Sequence, residues 1–152
     1  MPQFEFKFQT VLRHRQIVED QAQRELAQVM RQRMILMNQL RSMQDSIRQS
    51  KHDLGASLVG QVSMAQVGDF ARYSGQVTQR AQQLVTGMAS VEQRIVTARD
   101  KLLTATRARK AMELLRDRQH QEWKRQQDRR ETAELDELAV QGHARQLTEV
   151  PW

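Results

Sequence analysis

Apolar residues recur along the first third of the chain in alternating steps of four and three. Counting by sevens from Phe8 and from Leu12 gives fourteen positions up to Leu54, and ten of them are apolar. This spacing is typical of the a/d seam of a coiled coil, because apolar residues about 3.5 apart share one helix face. Charged exceptions within the seam either extend their head groups to water or help to set the register. They are Arg15, Glu19 and Arg33.

A second seam begins at Val77 and Ala81, stays apolar through Met112, and then thins, with Trp123 as its main late anchor. Between the two seams, four of the six glycines fall within 21 residues. A glycine costs about 1 kcal/mol in a helix interior relative to Ala, so this segment is expected to interrupt the helix. The pattern predicts a single coiled-coil domain with a first arm over about 8–54, a glycine-rich tip over 55–76, a second arm over about 77–140 and a tail over 141–152.

Two heptad arms joined by a breaker predict an all-α fold, a long two-helix antiparallel coiled coil. Pairing Leu54 with Val77 places Phe8 beside Trp123, to within one or two helical turns. Residues 124–140 then extend beyond the first arm as an overhang of about 25 Å. The alternative is one broken rod that dimerises in parallel. The hairpin is favoured because each arm then buries its seam within its own chain.

Local signals refine the ends of the arms. Ser63 with Gln66 is a candidate capping box, and Asp69 is a candidate cap for the second arm. The alternation of Phe4, Phe6 and Phe8 is unusual for a helix and predicts an extended lead-in. The methionines are interpreted mainly as seam filler, since three of them fall on seam positions. These three are Met43, Met88 and Met112.

Composition narrows the class of protein. The chain has 152 residues, a net charge of +6, 39% apolar and 5% aromatic residues, and no cysteine. Few aromatic residues argue against a β-sandwich or barrel, and so little apolar surface argues against a water-excluded active site. Without cysteine there are no disulfides or thiolate metal sites. The apolar run at residues 34–37 is far shorter than the roughly 20 residues of a membrane span, so a cytoplasmic protein is expected.

No constellation of catalytic or metal-ligating residues is present in the sequence. The four histidines are widely separated and form no i,i+4 pair, and the carboxylates lie in charged helical stretches without a pocket. No glycine-rich phosphate loop occurs. We therefore expect no catalytic, cofactor-binding or metal site and no small-molecule substrate. The histidines are His14, His52, His120 and His143.

A basic stretch over residues 94–130 carries 12 Lys and Arg against five acids. It is either a solvated coiled-coil face or a surface for an acidic partner or nucleic acid. Trp123 is the only aromatic residue among these charges, which disfavours nucleic acid, although a basic nucleic-acid-binding coiled coil stays open as an alternative. A basic band followed by an acidic band suits a charged binding surface on a protein better than a uniform phosphate backbone. The acids that follow are Glu131, Glu134, Asp136 and Glu137.

Both ends of the chain resemble the flagellar export protein FliJ family. The first part of the resemblance is Phe4-Glu-Phe-Lys-Phe-Gln-Thr-Val-Leu-Arg13, followed by Arg15 and Glu19-Asp-Gln-Ala22. The second is Leu115-Arg-Asp-Arg118, the basic run to Arg130, and Leu135-Asp-Glu-Leu-Ala139. Phe70 and Tyr73, three residues apart ahead of the second arm, also fit. The ordered combination of both ends carries the resemblance over nearly the whole chain.

The resemblance implies a non-enzymatic component of bacterial flagellar type III export, similar to the central stalk of rotary ATPases. It implies three partners: the flagellar export ATPase ring, the cytoplasmic domain of the export gate membrane protein, and export chaperones. It also implies a place at the cytoplasmic face of the inner membrane at the flagellar base, without membrane insertion. Injectisome stalk proteins share this architecture and stay an alternative.

Carried onto this sequence, the resemblance predicts two binding surfaces. The surface for the export ATPase lies at the open end of the hairpin and comprises Arg13, Glu19, Trp123, Arg129, Arg130, Asp136, Glu137 and Leu138. The surface for the export gate lies at the tip and comprises Phe70, Tyr73 and Val77. For the two tip aromatics, the other interpretation is that they close the end of the coiled coil.

Overall fold

The computed structural model describes residues 3–148, with side chains through residue 146. It contains two long helices packed against each other, α1 (Gln9–Ser57) and α2 (Met64–Thr148), and no strand within the described residues. The predicted all-α helical hairpin is therefore confirmed. Residues 149–152 of the predicted tail lie outside the described part of the chain. Neither described helix is long and apolar enough to cross a membrane.

The ends of the helices are set by a few local hydrogen bonds. Residues 3–8 precede α1 without regular helix, as predicted, but residues 7 and 8 form a turn rather than continuing an extended lead-in. The Phe8 carbonyl accepts from the Leu12 N–H at 2.9 Å. At the other end of α1, the Ser57 hydroxyl donates to the Leu54 carbonyl at 2.8 Å. Between the helices, Gly60 has φ +117°, a backbone conformation that L side chains rarely adopt.

The segment between the helices covers only residues 58–63, so it is shorter than the predicted tip. Ser63 directly precedes α2, and its carbonyl accepts from the N–H groups of Gln66 and Val67. Asp69 does not cap the helix, because it lies inside α2 and pairs with Arg72 at 2.7 Å. The second helix therefore begins 13 residues before the predicted arm at Val77.

The chain forms two compact units. The larger, Val18–Ala105, is a helix pair whose core contains Val29, Val91 and Ile95. Leu26 and Leu36 pack against this cluster. Small buried residues continue the seam on both sides and allow the two helices to approach closely. These are Ala22, Ala98 and Ala105.

Polar pairs across the helices show the register of Val18–Ala105. Lys101 Nζ donates to Glu25 Oε2 at 2.8 Å, and Arg94 donates to Gln32 Oε1 at 2.8 Å. Under the predicted pairing, Glu25 lies opposite residue 106, so the observed register differs by five residues. This is about one and a half turns, within the range that the pattern allowed.

The other unit combines the residues up to Ile17 with those from Thr106 onward. Leu12 is fully buried in it and Phe6 is buried as well. The ring of Phe4 lies 5.0 Å from His120 and 6.0 Å from Trp123, centroid to centroid. Phe4, rather than the predicted Phe8, therefore contacts the late tryptophan, a difference of about one turn.

Candidate partner-binding surfaces

The most distinctive surface of the unit that contains the chain ends is the last part of α2. Gln127 is the last half-buried residue, and every described residue from 128 to 146 is exposed. We call residues 128–146 the C-terminal stretch. Four residues before Gln127, Trp123 stacks on His120 and contacts the ring of Phe4, each at 6.0 Å between centroids. An exposed helix beyond the last packed layer is what the sequence predicted as an overhang.

The C-terminal stretch is an amphipathic helix whose apolar side faces water. Leu135 and Leu138 are 66% and 63% exposed, although leucines at i,i+3 spacing normally face a core. Glu134 and Glu137 lie along one flank of this leucine stripe, and Arg129 and Arg130 precede it. Exposed leucines at this spacing, with acids along one flank, are typical of a helix that binds a protein groove.

The residues predicted to bind the export ATPase divide into two groups. Glu19 is buried on the seam of Val18–Ala105 and Trp123 is half-buried against Phe4, so both contribute to packing. The others are exposed. Five of these lie together on the C-terminal stretch, namely Arg129, Arg130, Asp136, Glu137 and Leu138. Arg13 is also exposed, on the first turns of α1.

The residues predicted to bind the export gate lie on α2 within Val18–Ala105, not in an irregular tip. Val77 is 9% exposed and belongs to the core. Phe70 is half-buried and lies seven residues before it, on the same seam. Tyr73 is 40% exposed. Of the three, Tyr73 is therefore the side chain available for a contact with another protein.

Sequence reasoning missed an apolar surface on α1. Met30, Met34 and Met37 are exposed and line a groove together with Arg33 and Arg41. Their spacing of i,i+4,i+7 matches one helix face, but that face lies beside the seam rather than on it. The signal was present in the sequence as three methionines outside both seam series.

The described residues contain no group of three or more His, Asp and Glu side chains arranged to hold a metal ion. Ion pairs are among the polar contacts of the two helices. One of them joins Arg109 to Glu113 at 2.7 Å, four residues apart and partly buried. Such a pair supports a helix but forms no pocket for a substrate.

Comparison with known proteins decides the family. The family model described as flagellar FliJ protein matches residues 4–148. This chain belongs to the FliJ family. No curated protein and no solved structure matches it.

Membership of the FliJ family makes the chain a component of flagellar type III protein export. It associates with the export apparatus, and the family consists of structural export components rather than known enzymes. The match covers the whole of α1 and α2, including the C-terminal stretch. Of the flagellar and injectisome systems that the sequence left open, the family favours the flagellar one.

Proposed function

We propose that this FliJ-family chain is a stalk for the export ATPase. In this proposal the C-terminal stretch enters the lumen of the ATPase ring, where asymmetric contacts favour ring assembly and couple nucleotide hydrolysis to export. The chain itself catalyses nothing. It also connects the ring to the cytoplasmic domain of the export gate and to export chaperones, at the cytoplasmic face of the inner membrane at the flagellar base.

The observation that carries the proposal is the exposed helix from residue 128 onward. A helix with exposed leucines is stabilised poorly by its own chain, because most helical stability in proteins comes from packing of an amphipathic face. A ring lumen supplies that packing from several sides. The exposed leucines Leu135 and Leu138 would then be buried on binding.

Charge supports the same assignment. Arg129 and Arg130 precede a group of four acids, so the stretch presents a basic band and then an acidic band. A duplex phosphate backbone is uniformly negative and would repel the acidic band. Several basic residues nearer the start of α2 already contact acids or amides of the protein. These are Arg94, Lys101 and Arg109.

The test is phosphate release by the purified cognate flagellar export ATPase, titrated with the full chain while ring formation is followed by sedimentation. We expect stimulation that saturates near one chain per ring. A chain that ends at Gln127 should lose the stimulation, since it keeps Trp123 and the packed lead-in but lacks the C-terminal stretch. Circular dichroism of the truncated chain checks that the remaining helices are intact.

A matched pair of charge reversals distinguishes the role of the C-terminal stretch from a general effect of net charge. Replacing Arg129 and Arg130 by Glu should raise the half-saturating concentration about tenfold. Replacing Arg24 and Arg31 by Glu makes the same change in net charge at two exposed arginines of α1 and should leave the titration unchanged.

An ATPase that responds to neither the full chain nor the truncated chain would refute the stalk proposal. Steeply salt-dependent binding to DNA by the same sample would favour the nucleic-acid alternative.

A further inference from the structure

One side of the helix pair Val18–Ala105 is bridged by polar side chains. Glu25 contacts Lys101 and Gln32 contacts Arg94, each at 2.8 Å. The partners are seven residues apart on both helices, so the two pairs lie on the same side of the seam. Two polar pairs thus bridge α1 and α2 on this side.

The other side of the same pair is marked by Arg33 and Glu92, whose Nε and Oε1 atoms lie 2.6 Å apart. Arg33 follows Gln32 by one residue and Glu92 precedes Arg94 by two, so both side chains point away from the polar bridges. Met30 and Met37 lie three residues before and four after Arg33. They therefore share its side of α1.

Helix α2 contributes apolar residues to the side that carries Glu92. Val96 lies four residues after Glu92 and Val85 lies seven before it, while Leu103 lies seven beyond Val96. All three side chains are about half exposed. We call this apolar side the methionine face, and it comprises Met30, Met34, Met37, Val85, Val96 and Leu103.

The charge around the methionine face favours an acidic occupant. Arg33 and Arg41 line the groove with the three methionines, and the carboxylate of Glu92 is balanced by Arg33. An apolar face beside arginines suits a helix that has a leucine stripe flanked by acids. Methionine side chains adapt their shape readily to such a stripe.

The chain itself contains a segment of this kind. Residues 131–142 present Leu135 and Leu138, and Glu134 and Glu137 flank them. Both leucines are exposed. Both leucines belong to helix α2, which runs from Met64 to Thr148. A second copy of the chain carries the same segment and is the occupant that this complementarity favours.

We propose that the chain self-associates by seating residues 131–142 of one copy on the methionine face of another. The exchange is reciprocal in a two-fold dimer, so each copy contributes one face and one segment. Contacts of this limited size are weak and transient. The association is accordingly concentration-dependent, and it buries the same leucines that the C-terminal stretch exposes in a single copy.

Sedimentation velocity of the full chain over a wide concentration range tests the association. We expect a monomer–dimer equilibrium that Met34→Glu shifts about tenfold toward monomer, because the new carboxylate meets the acids of residues 131–142. Ile35→Glu is the matched control, since Ile35 is also more than half exposed but lies 100° around α1. A wild-type chain that stays monomeric at every concentration, or equal effects of both variants, would overturn the proposal.

Cysteine crosslinking identifies the segment, since the chain has no cysteine of its own. A mixture of Met34→Cys and Leu138→Cys chains should form the mixed disulfide dimer under mild oxidation. A mixture with Val140→Cys should not, because Val140 is equally exposed but lies on the other side of that helix. Disulfides formed mainly between two Met34→Cys chains, or equally with Val140→Cys, would instead show a different contact and refute this one.

Discussion

Ile95 and Val96 are adjacent in the chain and differ sharply in environment. Ile95 is 1% exposed and packs with Val29 and Val91, whereas Val96 is 52% exposed on the methionine face. Truncating a buried aliphatic side chain removes its contacts and leaves a cavity that the surroundings fill only partly. The energetic importance of each residue thus depends on its heptad position rather than on its hydrophobicity.

We therefore expect Ile95→Ala to lower the free energy of unfolding by about 2–5 kcal/mol. Val96→Ala should change it by at most about 0.5 kcal/mol, as for other surface substitutions. Urea unfolding followed by circular dichroism at low micromolar concentration measures both values. Similar destabilisation by the two variants would contradict the assignment of the core to the predicted seam.

At the scale of the helices, the seams were predictable because burial of one face imposes a period that the sequence must carry. Along the first seam from Leu12 to Leu54, every position except Arg15 is at least partly shielded. On the second seam shielding continues through Trp123 and ends at the next position, Gln126. Even the buried Glu19 lies on its seam position. Its heptad position already argued against a role at an exposed binding surface.

The break between the helices was less predictable. Gly68 and Gly75 lie inside α2, although glycine disfavours helix by about 1 kcal/mol. The seam extends back through Val67 and Phe70, which are half-buried, and this packing outweighs the propensity. The register also differs from the predicted one, because the heptad pattern fits equally well when the two helices are offset by a turn or two. The packing in the core and the cross-helix polar pairs show which offset the chain adopts.

Glycine substitutions test where the break lies. A Cβ added at Gly75 meets no atom within 4 Å, so Gly75→Ala should stabilise the protein by about 1 kcal/mol through helix propensity. At Gly60, where φ is +117°, alanine is strained and should destabilise by about 1–2 kcal/mol. Thermal unfolding of both variants shows whether each substitution stabilises or destabilises the protein. Destabilisation by Gly75→Ala would mean that residues 55–76 form a broken tip after all.

Taken as a whole, the molecule carries candidate docking groups on each of its two units. Tyr73 belongs to Val18–Ala105, and the C-terminal stretch belongs to the unit that contains the chain ends. Exposed groups on separate units can bind different partners without sharing contacts. A protein proposed to connect an ATPase ring with an export gate requires this separation of binding surfaces.

The two proposed activities should consequently be separable by mutation. Tyr73→Ala should weaken binding to the purified cytoplasmic domain of the export gate by about tenfold, because an exposed aromatic anchor often supplies about 1–2 kcal/mol or more at an interface. The same variant should stimulate the export ATPase as well as the unchanged chain does. The chain that ends at Gln127 should behave in the opposite way, with gate binding kept and stimulation lost.

Isothermal titration calorimetry with the gate domain and phosphate release with the ATPase measure these two properties on the same protein samples. Val77→Ala is the informative control for the tip. Since Val77 is buried, its truncation should lower the unfolding temperature, and its effect on gate binding should disappear at temperatures where the variant is fully folded. If Tyr73→Ala bound the gate normally while folded Val77→Ala did not, the gate surface would include the seam, and the helix pair would have to open to expose it.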